Sequence, residues 1–289
     1  MAAIAAPAPR SRLGDLWRLP TPMLVGGAII IVVVLVALSA NWIAPYPYDE
    51  QHYTDTSKPP GGQYLLGTDE FGRDVFSRVL YGSRTSLAYG LGCSFLSLLI
   101  GVPIGLWAGY KGGRVDEILM RLLDIMMSIP PLLLGLLILA VTPPALWKTI
   151  LAIAVITSPS AARIVRSVTL SLRAEEFVQA ARARGESDLY VVFREILPNA
   201  WPAIIVEGGL RITFGILLGA ALSFLGLGSQ PPSSDWGLMI SEGRANVTVV
   251  PWVSIFPGLA MLFTVIGFNL FGGGLRDVLD PRLVRDYLH

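Results

Sequence analysis

The chain has 289 residues and a formal net charge of +1, which by itself says nothing about partners; no nucleic acid partner is expected. Hydrophobic residues make up 53% and charged residues 15%. Soluble domains carry about a quarter charged residues, so the composition excludes an ordinary soluble domain and indicates an integral membrane protein. The single cysteine, Cys93, excludes a disulfide framework and a cysteine metal site. His52 and His289 lie far apart and read as surface residues rather than metal ligands.

In chain order, residues 1–22 form a segment rich in Ala and Pro that carries Arg10, Arg12 and Arg18. The apolar run 23–44 is about 33 Å long as a helix, and no small-residue cleavage site follows it, so it reads as a first, uncleaved span. Residues 45–86 are polar. Within them, Gly67-Thr68-Asp69 and Gly72-Arg73-Asp74 read as a capped turn, with Thr68 or Asp69 capping a short interfacial helix. Residues 87–110 form the second span, with Gly101, Gly105 and Gly109 on one face for close backbone packing. A tight basic turn at Lys111 and Arg114 leads to the third span, 118–141, which holds Arg121, Asp124 and Pro130-Pro131. The fourth, 147–172, has an uncharged core shorter than the roughly 20 residues a span needs. Its Lys148, Arg163 and Arg166 are therefore expected to snorkel or face protein. The fifth span covers 203–225, a polar loop 228–252, the sixth span 253–271, and residues 276–289 are a polar tail.

These spans predict an all-α integral membrane protein with six transmembrane helices in the bilayer and both termini on one side. Fifteen of the 22 Lys and Arg residues fall with the termini, the Lys111 turn and the 163–194 region, and six fall on the opposite loops. The positive-inside rule places the first set in the cytoplasm.

The most polar long stretch is 173–199. It reads as two short amphipathic helices joined at Gly185, where a positive φ or a close backbone approach is available. Phe177, Ala180 and Ala181 form an apolar stripe on the first helix. Ser187 reads as an N-cap with Asp188 in the first turn; Leu189, Val192, Phe193 and Ile196 share a face of the second helix, which Pro198 ends. Chemically this is a solvated loop between spans. Ala180-Ala181, Gly185 and Leu197-Pro198 resemble the recurrent loop motif of binding-protein-dependent ABC importer permeases. Gln179 stands where that family often has Glu. Leu66 through Asp74, Gln230-Pro231-Pro232 with Trp236-Gly237, Phe256-Pro257-Gly258 and Leu279-Asp280-Pro281-Arg282 are similar to the second permease subunit of dipeptide, oligopeptide and nickel importers, from about Pro45 to the tail.

The resemblance implies a type I ABC importer permease fold, with residues 87–275 as the transmembrane core domain. It implies a cytoplasmic coupling helix at 185–190, with Glu186, Ser187, Asp188, Leu189 and Tyr190 meeting an ATPase. It also implies a homologous second permease subunit, two ATP-binding subunits that hold ATP and Mg, and an extracytoplasmic substrate-binding protein near Gly67, Thr68, Asp69, Gly72, Arg73 and Asp74. The cytoplasmic membrane of a bacterium is the implied location.

The sequence holds no Walker phosphate-binding loop and no nucleophile or zinc constellation, so the chain itself is expected to lack catalytic residues and cofactor. Glu207 and Arg211, four apart inside the fifth span, are expected to face protein, water or each other. A structural pair and a solute-path lining both fit, with Ser223 as a further path candidate. Short peptides are the expected solute class; nickel chelates, glutathione and opines are alternatives within the same importer type. An ion-coupled secondary carrier with Glu207 as its titrating group is the competing class.

Overall fold

The computed structural model describes residues 20–279. The basic start of the chain and residues 280–289, on which part of the charge-sidedness argument rests, lie outside the described residues. Ten α-helices appear among the described residues, and no β-strand does. Five are long and apolar enough to cross a membrane. These are α1 (Thr21–Ile43), α2 (Val75–Lys111), α5 (Leu146–Leu172), α8 (Leu197–Phe224) and α10 (Trp252–Leu279).

The expected third span is a bent pair instead. The segments α3 (Gly113–Met127) and α4 (Pro131–Leu139) meet at 83°. Consecutive prolines explain the break: Pro130 and Pro131 each push the residue before them out of the helical region, and Pro130 sits at ψ 131°.

α2 is longer than its predicted span. It has 37 residues and spans about 55 Å. It starts at Val75 because Asp74 accepts a hydrogen bond from the Ser77 amide. Asp74, and neither Thr68 nor Asp69, is thus the cap. The polar turns at the start of α2 are buried rather than looped.

α2 and α5 make the broadest helix pair. A Cβ on Gly101 would lie 2.6 Å from Ala161 Cβ, and one on Gly109 2.7 Å from Thr169 Cβ. Replacing Gly101 with Leu is expected to cost about 1–3 kcal/mol through overpacking. Thermal unfolding of the solubilised chain checks this, and a variant as stable as wild type would show that the seam is loose. Two charges of α5 pair with α3: Arg166 with Asp116, and the exposed Arg163 with Asp124. Lys148 donates to the Pro143 carbonyl at 3.1 Å and lies over the Trp147 ring, and it is half-buried.

Between α5 and α8 lie α6 (Glu176–Ala183), a one-turn α7 (Asp188–Tyr190) and a π-helical turn, Val191–Ile196. Pro198 does not end this second helix. The π turn, in which the Leu197 amide bonds to the Val192 carbonyl five residues back, opens the ladder just before the residue that lacks an N–H. The chain therefore runs as one rod from Asp188 to Phe224. Between α8 and α10, α9 (Trp236–Gly243) folds across the far end of the bundle, where Trp236, Met239, Val250 and Val253 pack on Val75.

Candidate functional site

Clusters of polar residues punctuate the bundle at the Gly185 end, at the Asp69 end, midway along α8 and around Ser223.

At the Gly185 end, α6 closes with a Schellman motif. The Gly185 amide donates to the Arg182 carbonyl at 2.9 Å and the Glu186 amide to the Ala181 carbonyl at 3.2 Å. Gly185 takes φ +79°, which a side chain disfavours, yet among the described residues none beyond its two chain neighbours lies within 4 Å of where its Cβ would be. Ser187 then caps α7 by accepting from the Tyr190 amide at 3.3 Å. The inner face of the unit is Val178, Ala181, Val191, Val192 and Ile196, packed on Leu106 and Tyr110 of α2 and Val165 of α5.

That face differs from the expected one. Leu189 and Phe193 point outward, 59% and 48% exposed, as do Tyr190, Ala180 and Pro198, while Glu186 and Leu197 are half-buried. The π turn adds a residue to the helical repeat and rotates the buried stripe onto Val191.

Tyr110, on the last turn of α2, is the peg in this socket. Its ring is buried, the Arg182 guanidinium lies 4.6 Å over it, and its hydroxyl donates to Asp188 Oδ1 at 2.8 Å. Lys111 also donates to Asp188, and Arg173 donates to the Tyr110 carbonyl at 3.1 Å. The Lys111 ammonium, and after it the Tyr110 hydroxyl, holds the Asp188 carboxyl below the usual carboxylate range. Sequence reasoning named Asp188 but missed Tyr110 and Arg173.

At the opposite end, Thr68, Asp69, Arg73 and Asp74 are 0%, 2%, 3% and 2% exposed. Asp69 Oδ1 accepts from the Phe71 and Arg73 amides, and Oδ2 accepts from Arg73 Nε at 2.6 Å and Arg78 Nη1 at 2.8 Å. Glu242 of α9 completes the hub, accepting from Arg73 at 3.0 Å and Arg78 at 2.9 Å. Thr68 donates to the Asp55 carbonyl, and the Trp252 indole donates to the Thr68 carbonyl at 2.9 Å. Gly67 and Gly72 take positive φ, and a Cβ on Gly67 would meet the Lys58 carbonyl at 2.6 Å. These six residues tie the segment inward to α9 and α10; Glu70 and Phe71 are the exposed members of the turn.

Midway, Arg211 Nη2 pairs with Glu207 at 2.6 Å. The guanidinium also donates to the Thr157 carbonyl and Ser160 Oγ of α5, both at 2.7 Å, and to Ser97 Oγ of α2 at 3.2 Å. Glu207 lines two adjoining spaces, of about 580 and 270 Å³. Ser223 lines neither. It is fully buried, sharing hydrogen bonds with the Tyr89 hydroxyl at 2.9 Å and Asp235 Oδ2 at 3.3 Å.

Burial lifts the Asp235 carboxyl to about 6, against the opposing bonds from the Leu238 amide and Ser223. Because the folded value lies above the unfolded 3.8, stability from the bound proton is present below pH 3.8 and lost as pH rises through about 6. Asp235→Asn keeps the acceptor for the Leu238 amide without the charge. Its melting temperature is expected to gain on wild type between pH 4 and 7, by the equivalent of about 1–3 kcal/mol. A pH-independent difference between the two melting curves would contradict the assignment.

Comparison with known proteins adds the family. Residues 101–285 match the family described as "Binding-protein-dependent transport system inner membrane component". The chain belongs to that family. Residues 22–60 match the N-terminal transmembrane domain of oligopeptide transport permease C. The permease is 41% identical to a dipeptide transport system permease protein of Alkalihalophilus pseudofirmus, over 90% of this chain and 86% of that one. It is 40% identical to a glutathione transport system permease protein of Pectobacterium atrosepticum, over 89% and 86%. An inward-facing structure of the MetNI methionine ABC transporter shares the fold, with a TM-score of 0.56 at 20% identity over 70% of this chain and 96% of that one.

Proposed function

We propose that the chain is one of two permease subunits of an ATP-driven importer that carries short peptides across a bacterial cytoplasmic membrane, with both termini in the cytoplasm. The observation that carries this reading is the Gly185 unit. Its inner face is packed on α2 and α5, its outer edge offers Leu189, Tyr190 and Phe193, and it continues without a break into α8. Exposed apolar anchors beside an open glycine suit the groove of a second protein. The 185–190 segment seats on an ATP-binding subunit, which holds ATP and Mg, and moves with it. Two packed arrangements of the helices then alternate, because packed interfaces switch rather than deform. A homologous permease subunit supplies the other half of the path and an extracytoplasmic binding protein delivers the solute. The dipeptide and glutathione permeases among the relatives support short peptides as the solute class.

The test is uptake of labelled dipeptides by cells that produce the chain together with its partner permease, ATPase and binding-protein subunits. Uptake is expected to need ATP and the binding protein. Uptake that survives ATP depletion and follows an imposed proton gradient would replace this reading with an ion-coupled carrier.

A further inference from the structure

The larger space beside Glu207 has features that a passive gap between helices does not need. Its wall is mostly apolar, formed by Ile164 of α5 with Pro202, Val206 and Leu210 of α8; Asn199 is its uncharged polar member, and Glu207 of α8 and Arg276 of α10 supply opposite charges. Its volume of about 580 Å³ falls in the range of small-molecule sites. The Glu207 carboxylate is oriented from behind, with Oε1 held by Arg211. The Arg211 guanidinium is itself tied to α2 and α5 through Ser97, Thr157 and Ser160. Arg211 is thus a positioning residue, and among the described residues no second donor reaches the carboxylate.

We infer that this groove is a transit site for zwitterionic peptides, with Glu207 taking the α-ammonium group and Arg276 the terminal carboxylate. The inference rests on the peptide-import reading and adds the chemistry of recognition within the permease. Dipeptides and glutathione both carry a free α-ammonium, and an ammonium entering an apolar channel loses hydration that only an anionic or polar partner replaces. A carboxylate already shared with Arg211 holds that ammonium weakly, which suits a site a solute must leave again. The apolar wall between the two charges accepts side chains without selecting among them.

The test uses Leu210→Cys, because Leu210 is part-exposed and lines both spaces, whereas the native Cys93 is buried. Membranes holding the assembled importer are treated with N-ethylmaleimide, with the unsubstituted importer as background. Dialanine at millimolar concentration is expected to slow alkylation at position 210 at least threefold. N-acetyl-dialanine, which lacks the ammonium, and dialanine amide, which lacks the carboxylate, are expected to protect less. Adding Glu207→Gln removes protection by dialanine; adding Arg276→Gln makes dialanine and its amide equivalent. Arg276 is exposed, so its variant carries the test if Glu207→Gln fails to accumulate. A thiol at 210 that does not react, equal protection by all three peptides, or protection that survives both substitutions overturns the site. ATP-driven uptake of dialanine by the cells of origin separates the two readings. Uptake without protection sinks the site alone, and absence of both sinks peptide import with it.

Discussion

Arg78→Met is expected to destabilise the solubilised chain by about 3–5 kcal/mol, the usual result of breaking a buried ion network from one side. Arg78 is fully buried, and its guanidinium serves Asp69, Glu242 and the Ser233 carbonyl. Methionine retains much of the stem, so little packing volume is lost. What changes is charge: two carboxylates are left against Arg73 alone, in a place water barely reaches. For a chain of this size the shift in melting temperature is about 5–15 °C. The hub's charge balance gives a second arm. Glu242→Gln removes the surplus negative charge, so the double variant is expected to recover at least half of the loss. An Arg78→Met protein within about 1 kcal/mol of wild type, the scale of an exposed pair, would mean that the hub is hydrated and inessential. Arg78 lies in the first turn of α2 and Tyr110 in its last, so a single helix joins the hub to the Gly185 unit. A loosened hub should therefore also weaken any transport that needs the two ends to move together.

The outer hub shows what the sequence does and does not reveal. The two glycines at positive φ, Gly67 and Gly72, and the Asp69–Arg73 spacing of one helical turn are local features, and both are visible in the string of letters. Glu242 is not, because it reaches Arg78 across 164 residues and no local pattern couples the two. The same blindness shortened the second span. Hydropathy counts Arg78 and Arg84 as loop residues, whereas Arg78 has its charge neutralised inside the fold and Arg84 reaches across to the Ala37 carbonyl of α1. Pro130-Pro131 reads from the sequence as lying inside one continuous third span, and the 83° bend there depends on where α4 packs, against α5 and α8. At the Gly185 unit, the ends of the first helix and the Ser187 cap follow from short-range chemistry. The buried face of the second does not, since counting by 3.6 assumes a regular helix and the Val191–Ile196 turn is wider. Midway along α8, the Glu207–Arg211 pair followed from i, i+4 spacing, while its anchoring to Ser97, Thr157 and Ser160 required three helices to be placed first.

Gly185→Val is expected to leave the chain in the membrane at near-normal amount and to reduce transport about tenfold or more, the effect of roughly 1.4 kcal/mol on the coupled step. Two causes contribute, and a second substitution separates them. The first is backbone: at φ +79° a β-branched side chain strains the Schellman turn by about 1–2 kcal/mol. The second is space. Apart from its two chain neighbours, none of the described residues comes within 4 Å of the position a Cβ would take, so on the proposed docking a penalty for bulk itself comes from the ATPase subunit. Asparagine tolerates the left-handed conformation, which removes most of the strain but keeps the bulk. On the proposed docking, Gly185→Asn should therefore fold like wild type and still lose transport, together with co-purification of the ATPase subunit. Tyr110→Phe perturbs the same unit from inside, deleting one hydrogen bond to Asp188 while Lys111 keeps its own. It should leave ATPase co-purification intact and lower only the ATPase activity stimulated by solute and binding protein. If Gly185→Asn transports and retains the ATPase as wild type does, the glycine serves only the turn, and the partner's contact must then lie along the exposed edge of Leu189, Tyr190 and Phe193.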